Sequence, residues 1–292
     1  MGDTAYHRFA WDGVACEVPR GWELSEHRTA RGVTKLAMED DDAVRLQFEW
    51  LRPRRTVDRQ TVLERYLDRA KDLSKLAKHI EPLPVEDTRW VGHVYRMDKE
   101  RHLIVAYYQS SLVGEPFAFL LLHFDATSPE DPLATFRHLA RTFRCQPEPY
   151  WTWAYYDVQF VLDMRFRLNA SALEAGRKLL VFGWGLRRLF IWHFSLADLI
   201  RERQTFPEFA AQFLNTARAL PAAQFAVTAD GELACQRKRR YPIGHMEEIG
   251  RWCFRYHAGL LHLPERNQLA VWVFNFRNPH DLTVLQKGFD PS

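Results

Sequence analysis

The chain has 292 residues, 47% of them hydrophobic and 26% charged, with a formal net charge of +3. That length and composition suit two ordinary globular domains. The longest wholly apolar run, residues 117–122, falls far short of the roughly 20 residues a membrane span needs, so no span is expected.

In chain order, the first half opens on alternating strands, the fourth ending near Trp50. A helix follows, carrying Val62, Leu63, Tyr66, Leu67, Ala70, Leu73, Leu76, Ala77 and Ile80 at spacings of three and four, with Asp58 as its N-cap. Residues 101–109 and 115–125 then read as a hairpin, and 129–143 as a closing helix. The second half repeats this order. Its strands end near Phe194, a helix starts at Pro207 with Phe209, Phe213, Leu214 and Ala217 on one stripe, and residues 250–257 and 267–276 form the hairpin. A short helix over 279–289 closes it.

Residue matches support duplication. Val14, Cys16, Val18, Trp22 and Leu24 align with Val158, Phe160, Leu162, Phe166 and Leu168 at an offset of 144. Lys35-Leu36-Ala37-Met38 aligns with Lys178-Leu179-Leu180-Val181 at 143, as does Arg45-Leu46 with Arg188-Leu189. The junction carries Pro147 and Pro149, a short stiff connection. The expected fold class is therefore α+β: two tandem repeats, 1–146 and 147–292, each an antiparallel sheet flanked by helices.

The opening Trp11-Asp12-Gly13-Val14-Ala15-Cys16-Glu17-Val18-Pro19-Arg20-Gly21-Trp22 resembles PsbP-like domains, in which an apolar strand leads to a Pro-x-Gly-Trp turn. In the second half Asp163 and Phe166 replace the proline and tryptophan. The resemblance implies an antiparallel sheet with flanking helices. It also implies a superfamily dominated by binding proteins: a photosystem II extrinsic subunit, a Ran GTPase partner and Eag-type chaperones of type VI secretion.

Residues 1–8 hold no apolar stretch of the kind that opens a secretory signal. Cys16, Cys145, Cys235 and Cys253 are scattered, with no C-x-x-C pair, which reads as free thiols in a reducing compartment. A cytoplasmic location is the expectation.

Catalytic signatures are absent: no G-x-S-x-G, P-loop, dinucleotide fingerprint or H-E-x-x-H occurs. Gly183-Trp184-Gly185 reads as a hairpin turn, and Glu39-Asp40-Asp41-Asp42 as a solvated turn that lacks the ligand spacing of a calcium loop. Cys253, His257 and His262, with Cys235 or His245, are the nearest thing to a zinc set, but the spacing of a closed site is missing, so no metal or other cofactor is expected. In this reading Trp252, Phe254 and Tyr256 form the core face of a strand. Ser110, Ser111 and His123 carry no local signature of a nucleophile and base.

Two surfaces stand out. Tyr150-Trp151-Thr152-Trp153-Ala154-Tyr155-Tyr156 places aromatics on both faces of a strand, which calls for cover on both. Trp151, Trp153 and Tyr155 are the candidate partner-binding residues, at least one of them partly exposed, with packing between the repeats as the competing role. Arg237, Lys238, Arg239 and Arg240 form the one dense basic run, in the half whose net charge is +5. The preferred function is a non-catalytic protein-binding scaffold, adaptor or chaperone. Nucleic-acid binding through 237–240 and an enzyme of hydrolase type are the alternatives.

Overall fold

In the computed structural model the described residues are 5–30, 32–51, 59–98, 100–108, 117–126, 128–146, 149–238 and 246–290. They divide into two units. The first holds Met1–Gln146 with Ala154–Tyr156, and the second holds Pro147–Trp153 with Asp157–Ser292.

The first unit begins with a hairpin, β1 (Tyr6–Trp11) and β2 (Val14–Pro19). Its two-residue turn has Asp12 at φ 44° and Gly13 at φ 82°, the left-handed pair that matches the twist of paired strands. Then come β3 (Glu23–Ala30), β4 (Val33–Glu39), β5 (Val44–Leu51), α1 (Arg59–Ser74), β6 (His79–Pro82), β7 (Trp90–Arg96), β8 (His102–Tyr108) and β9 (Phe117–Phe124). Helix α2 (Pro132–Thr142) and the two-residue β10 (Arg144–Cys145) follow. The main sheet has seven antiparallel strands in the order β3-β4-β5-β9-β8-β7-β6. Strand β9 is buried almost along its length, as an unbroken apolar run should be when both faces of a sheet are covered. One face receives Phe136 and Phe143 near α2, which meet Trp90, Tyr108 and Phe48 edge-on or tilted. On that face too, the β1–β2 turn is tied down: the Thr34 hydroxyl donates to the Asp12 carboxylate at 2.7 Å, and Trp50 Nε1 donates to the Asp12 carbonyl at 3.4 Å.

The second unit has β11 (Tyr150–Tyr155, whose last two residues belong to the first unit), β12 (Val158–Asp163), β13 (Arg167–Glu174), β14 (Arg177–Trp184) and β15 (Arg187–Ser195). These are followed by α3 (Ala197–Arg201), α4 (Phe206–Thr216), β16 (Ala223–Val227), β17 (Leu233–Arg237), α5 (Met246–Arg251), β18 (Arg255–Leu263), β19 (Gln268–Phe276), α6 (Pro279–Gly288) and β20 (Phe289–Asp290). Its main sheet runs β13-β14-β15-β19-β18, and β16–β17 forms a separate two-stranded sheet. Helix starts are set by their caps. Asp131 accepts from Ala134 N at 2.6 Å before α2, and Thr205 and Glu208 form a capping box at α4.

The units share an order of strands and a register. Leu24 pairs with Met38 and Leu168 with Phe182, and a β-bulge follows at once in each, at Leu24/Glu26 and Leu168/Ala170. This corrects the alignment over β4: Leu36 and Met38, both buried, correspond to Leu180 and Phe182 at 144, not to Leu179 and Val181 at 143. The offset becomes 143 only after the shorter turn before β15, where Met38↔Leu46 matches Phe182↔Leu189.

The expected α+β class is also corrected. Among the described residues 20 strands form four antiparallel sheets, with only six short helices, so they are mostly β and not a set of sheets flanked by helices. Helices stand where they were read, but the first stripe is cut short: α1 ends at Ser74, so Leu76 and Ala77 lie beyond it and Ile80 is on β6, and Leu67 is exposed. Strand alternation fills both halves, and hairpins do much of the covering that helices were expected to do.

Candidate functional site

The aromatic strand is interior. Trp151, Trp153 and Tyr155 are each no more than 1% exposed, so the partly exposed member expected of them is not there. Each face of β11 finds its cover. Within the second unit Trp153 stacks on Phe160 and meets Phe182 edge-on at 4.8 Å, and the Arg167 guanidinium lies 4.7 Å above the Trp151 ring. Within the first unit Tyr155 meets Trp11 edge-on at 5.3 Å. A side chain this buried offers no surface to a partner.

The basic run is divided. Arg239 and Arg240 lie outside the described residues. Lys238 is exposed, and Arg237 is neutralised: its Nε and Nη2 donate to the two carboxylate oxygens of Glu248 at 2.9 and 3.0 Å, and its guanidinium sits 4.9 Å over the Phe254 ring. Ser110, Ser111 and His245 also lie outside the described residues. Among the described residues no three His, Cys, Asp or Glu side chains converge as metal ligands. The Cys253 thiol lies against the carbonyls of Leu186 and Arg251, and burial pushes both Cys253 and Cys235 up, the latter to about 12. Asp40 of the acidic turn is committed to Arg45 at 2.5 Å and to the backbone N–H groups of Asp42 and Ala43. Among the described residues no helix is long and apolar enough to cross a membrane.

The surface that stands out instead is α5. In the first unit β7 passes to β8 through residues 97–101, whereas in the second unit 238–254 separate β17 from β18, and α5 occupies the middle of that insertion. The helix is turned inside out. Glu248 is 1% exposed, and its carboxylate is held by Arg237 from β17 and by the Tyr256 hydroxyl from β18, at 3.2 Å. Burial and the neighbouring Glu248 charge keep the Tyr256 hydroxyl protonated far above neutral pH. Met246 and Ile249, three residues apart on α5, and Trp252, in the turn just past its end, face solvent instead. They are 78%, 41% and 59% exposed. Of the ten tryptophans in the chain, only Trp252 is exposed. It also sits at φ 54°, a left-handed backbone that a bulky residue rarely adopts. Leu186, 43% exposed, adjoins them through the Cys253–Leu186 contact.

Guanidinium groups rim this patch. Arg188 donates only to carbonyls, those of Gly185 and Arg187, and forms no ion pair among the described residues. Burial and the nearby positive charge of Arg251 both lower its pKa. Arg255 is exposed at the start of β18.

Sequence reasoning missed this surface because Trp252, Phe254 and Tyr256 alternate as a strand would. Strand β18 begins only at Arg255, and Trp252 sits in the turn after α5.

No protein-family model matches the chain, and no curated protein matches it in sequence.

Proposed function

We propose that this chain is a non-catalytic protein-binding scaffold, adaptor or chaperone, and that the Met246–Ile249–Trp252 face of the second unit is its contact surface. The carrying observation is the inverted polarity of α5 and the turn after it: a glutamate is buried, while a methionine, an isoleucine and, in the turn, a strained tryptophan are exposed. Strained backbone concentrates at binding sites, where the surrounding structure enforces it. Tryptophan, methionine and arginine are the residues enriched at the centres of protein interfaces. The rim of Arg188, Arg251 and Arg255 favours a partner whose apolar side chains lie among carboxylates. The resemblance of the opening segment to PsbP-like domains points towards binding as well, and the neutralisation of Arg237 by Glu248 weighs against phosphate contacts by the basic run.

A photo-crosslinking amino acid at position 246, expressed in the native cell, tests this reading. The expected result is one predominant crosslinked protein, lost in Trp252→Ala and Ile249→Ser. A crosslink indifferent to both substitutions, or crosslinks to nucleic acid instead, would overturn it.

A further inference from the structure

A second concave surface lies wholly in the first unit, between α2 and residues 85–89. It encloses about 620 Å³, within the size range of small-molecule sites. Its accessible apolar lining comes from Tyr6, Val85 and Ala134, backed by the buried Trp90 and Phe136. At one end Tyr6 and His138 stack at 3.6 Å with their planes 16° apart, and His138 Nε2 is fixed against Glu17 at 2.7 Å.

Its charge is unbalanced. Asp87 and Arg89 neutralise each other through bonds of 2.8–3.1 Å. Arg137, Arg141 and Arg144 are exposed and form no ion pair among the described residues, and Glu86 is the one further acid lining the groove. Arg137 and Arg141 are four residues apart on α2, so their side chains rise from neighbouring turns of one face. Arg144 extends the row, held by its Nη1 bonds to the carbonyls of Arg141 and Phe143, both at 2.6 Å. It lies close enough to Asp87, across the groove, to help hold that carboxyl below its usual range, after the stronger effect of Arg89.

A cation near a helix C-terminus compensates the exposed carbonyls there, which accounts for Arg141 and Arg144 in part. It does not account for Arg137 in mid-helix. Nor does the fold demand the row: α6, the closing helix of the second unit, carries Lys287 and no arginine. Three planar forks lining one groove with Tyr6, Val85 and Ala134 suit an anion with an apolar body, because a guanidinium pairs with carboxylate or phosphate through two parallel hydrogen bonds.

We propose that this groove binds a small organic anion, a carboxylate or phosphate ester with a flat apolar body, its charged group held by Arg137, Arg141 and Arg144. The test is calorimetric titration of the full chain with phenyl phosphate, benzoate and, as the neutral match, benzyl alcohol. Binding of at least one anion is expected, with benzyl alcohol weaker by tenfold or more. Phenyl phosphate alone would identify a phosphate ester, and benzoate alone a carboxylate. Arg137→Glu with Arg141→Glu should weaken the anion at least tenfold without moving the thermal midpoint. Should that pair fail to fold, Arg137→Lys with Arg141→Lys keeps the charge and loses the forks, and a three- to tenfold loss is then expected. No binding of either anion, or binding unchanged by these substitutions in folded protein, overturns the proposal.

Discussion

The two units share a strand order, a register and a bulge, and they differ where the fold is indifferent. The first closes β7 to β8 with a short turn and places around α2 three arginines that form no ion pair among the described residues. The second inserts α5 between the equivalent strands and leaves its closing helix without arginine. What is common is what packing requires. What differs is free to serve recognition, and both candidate surfaces fall there.

The same contrast appears inside the sheet. Arg45 and Arg188 occupy matching positions, with opposite surroundings. Arg45 is 1% exposed and bridged to Asp40 and to Asp125, with Ser128 accepting from its Nη1 at 2.7 Å. Arg188 is bonded only to carbonyls. Arg45→Ala should therefore destabilise the first unit by about 3–5 kcal/mol, because two carboxylates lose a buried partner. Arg188→Ala should cost less than about 1 kcal/mol. Urea unfolding of both variants checks this, and equal losses would break the comparison.

Glu248 comes next in size. Its removal leaves Arg237, whose side chain is 17% exposed, and Tyr256 without their shared acceptor. Glu248→Ala should cost about 2–3 kcal/mol, the scale of hydrogen bonds to a charged group plus the orphaned donors. Hydrogen exchange should place the loss at α5 and β17–β18. A loss spread evenly over both units would mean that α5 is not a local clamp.

A smaller, pH-dependent difference separates Trp50 from His193, again at matching positions: they pair with Ala118 and Ala270. Among the described residues neither ring nitrogen of His193 has a hydrogen-bond partner. Burial first, and the Lys178 charge second, push its pKa down to about 3, with Arg266 adding to this and Asp157 opposing. Between that value and the unfolded 6.5 the unfolded chain binds more protons, so stability is lost as pH falls from 6.5 towards 3. The slope from this residue is at most about 1.4 kcal/mol per pH unit. His193→Phe should remove that share of the slope, measured as the difference in urea midpoints from pH 7 to pH 5. An unaltered difference would show that His193 titrates freely.

How much of this was legible in the sequence depends on whether the chemistry was local. The hairpins and the Pro207 start of α4 are local signals of alternation and of first-turn residues, and they could be read; Asp58, the N-cap expected of α1, lies outside the described residues. The β4 alignment slipped by one because Lys-Leu occurs in both halves. A one-residue slip exchanges the faces of a strand, and burial of Leu180 and Phe182 decides it. The cover over Trp151, Trp153 and Tyr155 comes from residues 7 to 144 positions away, such as Phe160, Arg167 and Trp11, which alternation within one strand cannot reveal. The inverted α5 was illegible for a related reason. A glutamate in a short helix reads as solvated until Arg237 and Tyr256 are seen to hold it.

The smallest effect on stability belongs to Trp252, and it sharpens the comparison most, since the first unit has no counterpart to α5. Trp252→Gly removes a side chain that is more than half exposed and frees a backbone held at φ 54°. A left-handed conformation costs a residue with a Cβ about 1–2 kcal/mol, which glycine does not incur. Against this stands the greater freedom of glycine in the unfolded chain, about 0.5–1 kcal/mol, and the loss of the edge contact between Trp252 and Phe254. The terms nearly cancel, so the unfolding midpoint should move by less than about 1 kcal/mol in either direction. Partner crosslinking at position 246 should nonetheless fall at least tenfold, as loss of a central tryptophan does in protein interfaces. A buried structural tryptophan gives the opposite pattern, a loss of about 3–5 kcal/mol, which is the expectation for Trp153→Ala in the same unit. Should Trp252→Gly unfold the second unit as Trp153→Ala does, the residue is part of the core and α5 is not a contact surface.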